Sequence, residues 1–482
     1  MADRGPETRS IFRNLSPLDH RYYLANRRLF DALADELSED AAVKTCLRVE
    51  LALLEALARR SSSAPVDFVT LRRDVEAIEP GEVYAEEERT HHNIRALVNV
   101  MKRRVPEHVR HLVHVGATSV DILDTAAALR VRAAVRRVLL PLLVELEREL
   151  LGLAEREADT PQIGRTHGQH AVPLTFGFAM AEYVSRLGKS ILEIGSRSLD
   201  LRGKMAGAVG SYNATALIAS DPEAFEAEVL GSLGIGASEH STQLVEPEYL
   251  LRLLLEINAA FGIIANLADD LRHLQRSEIG EVREEFSSEQ VGSSTMPQKR
   301  NPWNCENVKS MWKAFAPRVV TFFMDQISEH QRDLTNSASQ RFISDYLAGF
   351  AAAAARMRDV IRGLRVDRER MALHLGSTGD AALAEPMYIL LSLAGERDAH
   401  EIVRTLTLEC EREKRKLAEA ARKRPELWAK IRQSLEKVGL GEPEAFFADP
   451  AAYRGIAARK ARLIATRYRD EMEKLGKELL RD

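Results

Sequence analysis

The stretch from Glu248 to Leu274 reads EYLLRLLLEINAAFGIIANLADDLRHL and decides the fold. It is rich in helix formers, and its apolar positions nearly encircle a 3.6-residue period instead of forming one stripe. A helix of that kind is packed on several sides, so it predicts the central element of a bundle of long helices. Four other segments share apolar residues three and four apart: Ile122 to Glu157, Leu174 to Arg202, Trp303 to Glu329 and Ser337 to Leu364. No strand-like alternation of comparable length accompanies them, and no repeat of fixed period is visible. The fold class is all-α.

The chain is 482 residues long, more than one hydrophobic core usually organises, and a prior of roughly 150 residues per domain suggests about three. The first hundred or so residues have shorter helical stretches broken by SSSAP and by EPGE at Glu79 to Glu82. After about Leu364 the composition shifts toward charge, as in EREKRKLAEAARKRPELW, whose alternating signs read as a solvated helix face. The expected units are an N-terminal helical domain over 1–115, a central bundle over 116–365 and a C-terminal helical domain over 366–482.

Composition narrows the function classes. With 68 basic and 72 acidic residues the net charge is -4, so there is no broad basic field for nucleic acid or an anionic membrane. Anion recognition must be local. Cys46, Cys305 and Cys410 are too few and too scattered for a disulfide framework, which fits a reducing compartment. The charged MADRGPETRS start lacks a secretory apolar stretch, and uncharged runs such as Ala259 to Ala268 fall short of a membrane span. The expected location is the cytoplasm.

Five stretches gather His, Ser, Thr, Asn and Gly between the apolar helices, where loops on a rigid scaffold hold functional groups. Val291 to Pro302, VGSSTMPQKRNP, offers a glycine hinge at Gly292, paired hydroxyls, a lysine, an asparagine and two prolines. Taken alone, these residues suit a catalytic loop and a helix-initiating Ser/Pro linker equally. Arg165 to His170, RTHGQH, carries two histidines three apart; with no neighbouring acid or cysteine to complete a metal set, acid/base work is the better functional reading, beside simple packing. His114 to Asp121, HVGATSVD, puts two hydroxyls on a glycine turn before a long helix, where Thr118 or Ser119 can cap it or meet a carboxylate or phosphate. In Thr90 to Arg95, THHNIR, the adjacent histidines point to different helix faces. Arg332 to Arg341, RDLTNSASQR, holds two arginines and three hydroxyls, a possible phosphate clamp if not a solvated surface.

The loop GSSTMPQKRNP resembles the signature loop of the fumarase/aspartase superfamily. Within it, NLSPLDHRYY, the HHN stretch, VHVGATSVDILDTA, GRTHGQHA, STQLVEPEY and QRDLTNSASQR resemble, in order, the pattern of the adenylosuccinate lyase family from about Asn14 to Arg341. The resemblance implies a three-domain fold with a central bundle of long helices and a homotetramer whose active sites are shared between subunits. It also implies a small nucleotide substrate and no cofactor. The reaction implied is elimination of fumarate from adenylosuccinate to give AMP, with the same cleavage of the succinylamino imidazole ribotide.

By the same resemblance Ser293 matches the catalytic base and His167 the general acid, with Glu306 at the carboxylate that orients this histidine. Arg21 and Tyr22 match nucleotide phosphate contacts. Thr118, Ser119, Lys299 and Asn301 match groups that hold the succinyl carboxylates. His91, His92, Asn93, Gln243, Asn307, Arg332, Ser337 and Arg341 match further substrate contacts, although Asn93 stands where the family usually carries aspartate. THGQ also occurs in sister enzymes, so a lyase of argininosuccinate or a carboxymuconate cycloisomerase is the neighbouring reading. A non-catalytic helical protein on the same fold is the reading from another class.

The chemistry fits these residue types. Removing a proton beside a carboxylate creates a dianionic enediolate that needs donors, which Lys299, Asn301 and the Thr118/Ser119 turn supply. The leaving nitrogen must be protonated, work suited to a histidine with an ordinary pKa of about 6.5. Ser293 can act as a base only where its alkoxide is favoured and water is excluded, which asks for a loop that closes.

Overall fold

The computed structural model describes residues 9–61, 64–286 and 294–481. Glu248–Leu274 is one uninterrupted helix, with Leu253, Ile257, Phe261, Ile264, Ala268 and Leu271 fully buried or nearly so along its length. It is the one helix among the described residues long and apolar enough to cross a membrane by length and composition, and 50% of its most apolar window is buried inside the fold. Its neighbours are Phe176–Leu199 and Trp303–Phe315, and the bundle is completed by Leu140–Arg156, Ile343–Arg362 and Ala457–Leu479. These helices share one apolar core.

Small residues set how closely the helices approach. Ala351 to Ala355 are all buried in Ile343–Arg362, the tight contact that an alanine run permits. At Gly188 a Cβ would lie 2.3 Å from the ring of Tyr468, so the last helix sits on Phe176–Leu199 with no room for a side chain there. Phe261 and Phe350 meet edge to face at 5.3 Å across the core.

The expected long helices form with interruptions that have local causes. The segment 122–157 appears as Ser119–Ala134, one wide turn over Val135–Leu139, and Leu140–Arg156. Pro141 lacks an N–H and crowds the preceding turn, and the wider π-type turn before it absorbs that defect. The segment 303–329 is split at Ala316 and Pro317 into Trp303–Phe315 and Arg318–Met324, again at a proline. The segment 337–364 divides at Phe342 into Ser337–Arg341 and Ile343–Arg362.

One element departs from the all-helical pattern in a way that matters for the site. Pro161–Thr166 and Gln169–Thr175 pair as an antiparallel hairpin. A second apolar cluster joins helices within residues 43–113 to Ile122, Ala126, Leu129, Met205 and residues 225–235, while Leu18, Leu33 and Leu37 belong to the central core. A third is confined to residues 383–447, where the charged run is broken by Lys414 in a left-handed conformation.

Candidate active site

The stretch RTHGQH forms the tip of the hairpin, and His167 and Gly168 are its two turn residues, with φ of 53° and 73°. Two successive positive φ values define the turn that matches strand twist in a two-residue hairpin, and histidine is among the residues that tolerate the first. The turn leaves the His167 side chain exposed at the end of a stiff two-stranded arm. The second histidine differs: His170 Nδ1 lies 2.6 Å from Thr378 Oγ1, and burial together with Arg165 and His374 lowers its pKa.

The HVGATSVD stretch makes a second patch. Thr118 is the N-cap of Ser119–Ala134, and its N–H donates to the Asp121 carboxylate at 2.7 Å. Asp121 is fully buried and forms an ion pair with Lys204, itself fully buried, whose ammonium also donates to Gly207 O at 3.0 Å. Thr125 Oγ1 accepts from the backbone N–H of Lys204 at 3.0 Å. The half-buried Thr118 and Ser119 are therefore presented at a helix N-terminus whose footing is a closed polar network. Asp124, one turn on, is half-buried and its pKa is pushed up to about 6 by desolvation, although Val245 N–H donates to it at 2.9 Å.

The third patch follows the signature loop. Gly292 and Ser293 lie outside the described residues; Lys299 is exposed and Asn301 half-buried just before Trp303–Phe315. The carboxylate of Glu284 caps that helix, accepting from Asn304 N–H at 3.2 Å and Cys305 N–H at 3.0 Å. Glu306 is exposed in its first turn. Asn307, one residue on, donates to Tyr22 Oη at 3.5 Å, and its Oδ1 is buried with no hydrogen-bond partner among the described residues. Arg21 is exposed beside Tyr22 at the start of the short helix Arg21–Ala25.

The remaining residues sit on two further segments. His91 ends Pro80–Thr90 in a left-handed conformation, and His92 caps Asn93–Arg104 by accepting Arg95 N–H at Nδ1, 3.2 Å away. They occupy a link between helices, which corrects the expectation of two faces of one helix. Asn93 Oδ1 accepts Ile94 N–H at 2.7 Å. Gln243 and the 332–341 stretch meet through Gln243 N–H and Gln331 O at 3.0 Å. Arg332, at φ 88°, turns its guanidinium onto Gln326 O at 2.7 Å and Ser328 Oγ at 3.0 Å, while Ser337 and Arg341 are exposed.

Within one chain Tyr22 joins Asn307, and Gln243 joins the arginine-bearing stretch. The hairpin tip, the Thr118 turn and the loop segment are each held by their own partners. Two buried supports escaped the sequence reading. Lys204 was signalled only by a lysine inside the small and apolar GKMAGAVG, and Glu281 is one of several acids in GEVREEF with nothing to mark it.

The fold is shared with solved structures. A fumarate lyase from Mesorhizobium sp. BNC1 superposes with a TM-score of 0.76 at 23% identity, covering 90% of this chain and 97% of that one. The 3-carboxy-cis,cis-muconate lactonizing enzyme from Pseudomonas putida does so with a TM-score of 0.75 at 25% identity, covering 94% and 99%. A family model described as lyase matches residues 51–315, more than half of the chain, and one described as adenylosuccinate lyase C-terminal matches residues 328–442. Adenylosuccinate lyase from Pyrococcus abyssi is 34% identical over 419 residues, 85% of this chain and 90% of that protein. The one from Pyrococcus horikoshii is 33% identical over 469 residues, 95% and 99%. The chain belongs to the lyase family and, within it, to the adenylosuccinate lyases.

Proposed function

We propose that this chain eliminates fumarate from adenylosuccinate to give AMP, and from the succinylamino imidazole carboxamide ribotide in the same way. The observation that carries the reading is the exposed His167 on a rigid two-residue turn, the one histidine of GRTHGQHA aimed away from its own scaffold. In this reading His167 protonates the departing nitrogen and Ser293 takes the proton beside the carboxylate. Glu306 orients the histidine, and Lys299, Asn301, Thr118 and Ser119 receive the succinyl carboxylates. Arg21 and Tyr22 bind the phosphate. The unpartnered Asn307 Oδ1 supports a place for it among the substrate contacts, because a buried acceptor left unsatisfied costs stability unless a ligand completes it.

The three patches rest on separate networks, which supports a homotetramer whose sites combine patches from different copies. The division at about 115 and 365 belongs to the same proposal: the apolar cluster within residues 383–447 supports the second boundary, whereas the second cluster crosses the first, and the last helix returns to the central core. A cytoplasmic location, no cofactor and no nucleic-acid or membrane partner complete the proposal. The test is turnover of adenylosuccinate by Ser293→Ala and His167→Ala. Each is expected to lose about 10²–10⁴-fold while keeping its helical circular dichroism, and retention within about tenfold by both sinks the assignment.

A further inference from the structure

Glu281 is fully buried directly beneath the hairpin that ends in His167. Its two oxygens accept four hydrogen bonds from three side chains. Oε1 receives Arg165 Nη2 at 2.6 Å and His374 Nδ1 at 2.7 Å, and Oε2 receives Gln162 Nε2 at 2.7 Å and Arg165 Nη1 at 3.1 Å. Burial works against its charge, but the bonds from Arg165, Gln162 and His374 outweigh it and lower the pKa, so the group is a carboxylate. A carboxylate accepting from His374 Nδ1 fixes that nitrogen as the protonated one.

The backbone is built to allow this convergence. Residues three apart on a regular strand face opposite sides, so Gln162 and Arg165 should diverge. They nonetheless reach the same carboxylate, next to a register shift between Ile163 and Arg165 at which Gly164 lies opposite both Ala171 and Val172, the extra residue of the bulge being on the second strand. Gly164 is required there, since a Cβ would lie 2.7 Å from Val172 O. The backbone of Glu281 is held as well: Asp367 N–H donates to its carbonyl oxygen at 2.9 Å, and Asp367 caps the helix Arg368–Thr378 that carries His374 and Thr378. Thr378 in turn holds His170 on the opposite strand. Both strands are thus tied to one helix, two residues short of His167 on one side and three on the other.

We propose that Glu281 is a positioning residue for the reaction: through Arg165 and Gln162 it fixes the hairpin tip so that His167 meets the departing nitrogen. The inference rests on the reading of His167 as the acid. A tip displaced by about 1 Å at the reacting atoms costs about 10²-fold in rate even when binding is kept. A site that only held the fold together would instead lower the amount of active enzyme and leave kcat per folded molecule unchanged.

The test is steady-state kinetics on adenylosuccinate, per folded tetramer or other native assembly, for Glu281→Gln, Arg165→Lys, His167→Gln and the double variant Glu281→Gln/His167→Gln. Glu281→Gln keeps the side chain's size but replaces one acceptor oxygen by a donor. It is expected to lower kcat about 10²-fold with KM within about threefold, and Arg165→Lys, which keeps the charge but not the fork, serves if the first fails to fold. In the His167→Gln background the Glu281→Gln change is expected to cost less than about twofold, because a group that acts through His167 has nothing left to position. The inference is overturned if both single variants stay within about threefold of wild-type kcat while His167→Gln is inactive, or if the full Glu281 effect recurs without His167. Wild-type turnover by His167→Gln overturns the underlying assignment itself, an outcome separate from the other two.

Discussion

Lys204 and Asp121 pair with both side chains fully buried under the first turn of the Ser119–Ala134 helix. Removing one partner of such a pair leaves an uncompensated buried charge, at about 3–5 kcal/mol, whereas removing both charges is far milder. Lys204→Met is expected to lower the unfolding free energy by that amount in urea titration, and Asp121→Asn/Lys204→Met to recover most of it. Because Asp121 also holds Thr118 N–H, Lys204→Met is expected to weaken substrate binding as well.

Glu147 presents the opposite case, a buried acid with neither oxygen hydrogen-bonded among the described residues, facing Gly188 and the ring of Tyr468. Burial raises its pKa well above 4.5, so the group holds its proton more tightly in the folded chain than in the unfolded one. The unfolded state then binds fewer protons, and stability falls as pH rises above about 4.5 toward the folded pKa. Glu147→Gln is expected to flatten that decline, measured as melting temperature from pH 5 to 8; an unchanged slope contradicts it.

Gly188 makes the same junction sensitive to volume. Gly188→Ala places a methyl 2.3 Å from Tyr468 Cδ1, and overpacking of this kind costs about 1–3 kcal/mol. Denaturant titration is expected to show the loss, with the Tyr468→Leu background relieving it.

His114 forms a second pair whose strength depends on pH. Its Nδ1 lies 2.6 Å from the buried carboxylate of Glu50; burial alone would lower its pKa, but that bond and charge prevail and raise it above 6.5. The pair's stabilisation is complete below about pH 6.5 and is lost as pH rises through the folded value. His114→Gln is expected to remove this component of the pH dependence, read by calorimetry between pH 6 and 9.

The long helices were legible because apolar spacing is set by the period of the helix itself, and the breaks at Pro141 and Pro317 follow from the missing N–H. The hairpin at 161–175 was not, because its two short strands flank a His-Gly turn in a stretch whose histidine spacing looks like a ligand pattern. Thr118 could be read as a cap from its place before an apolar run, and it is one. Glu281 could not be told from its acidic neighbours, since what marks it is convergence of Gln162, Arg165 and His374 from distant parts of the chain. The candidate site residues were legible as motifs; their mutual geometry across copies is written in no single stretch.

The most direct measurement is the ultraviolet absorbance of adenylosuccinate mixed with the purified protein. The proposed function predicts a steady spectral change as AMP and fumarate appear in equal amounts, confirmed by chromatography. No change with adenylosuccinate, at an enzyme concentration that turns over argininosuccinate or a carboxymuconate, contradicts it.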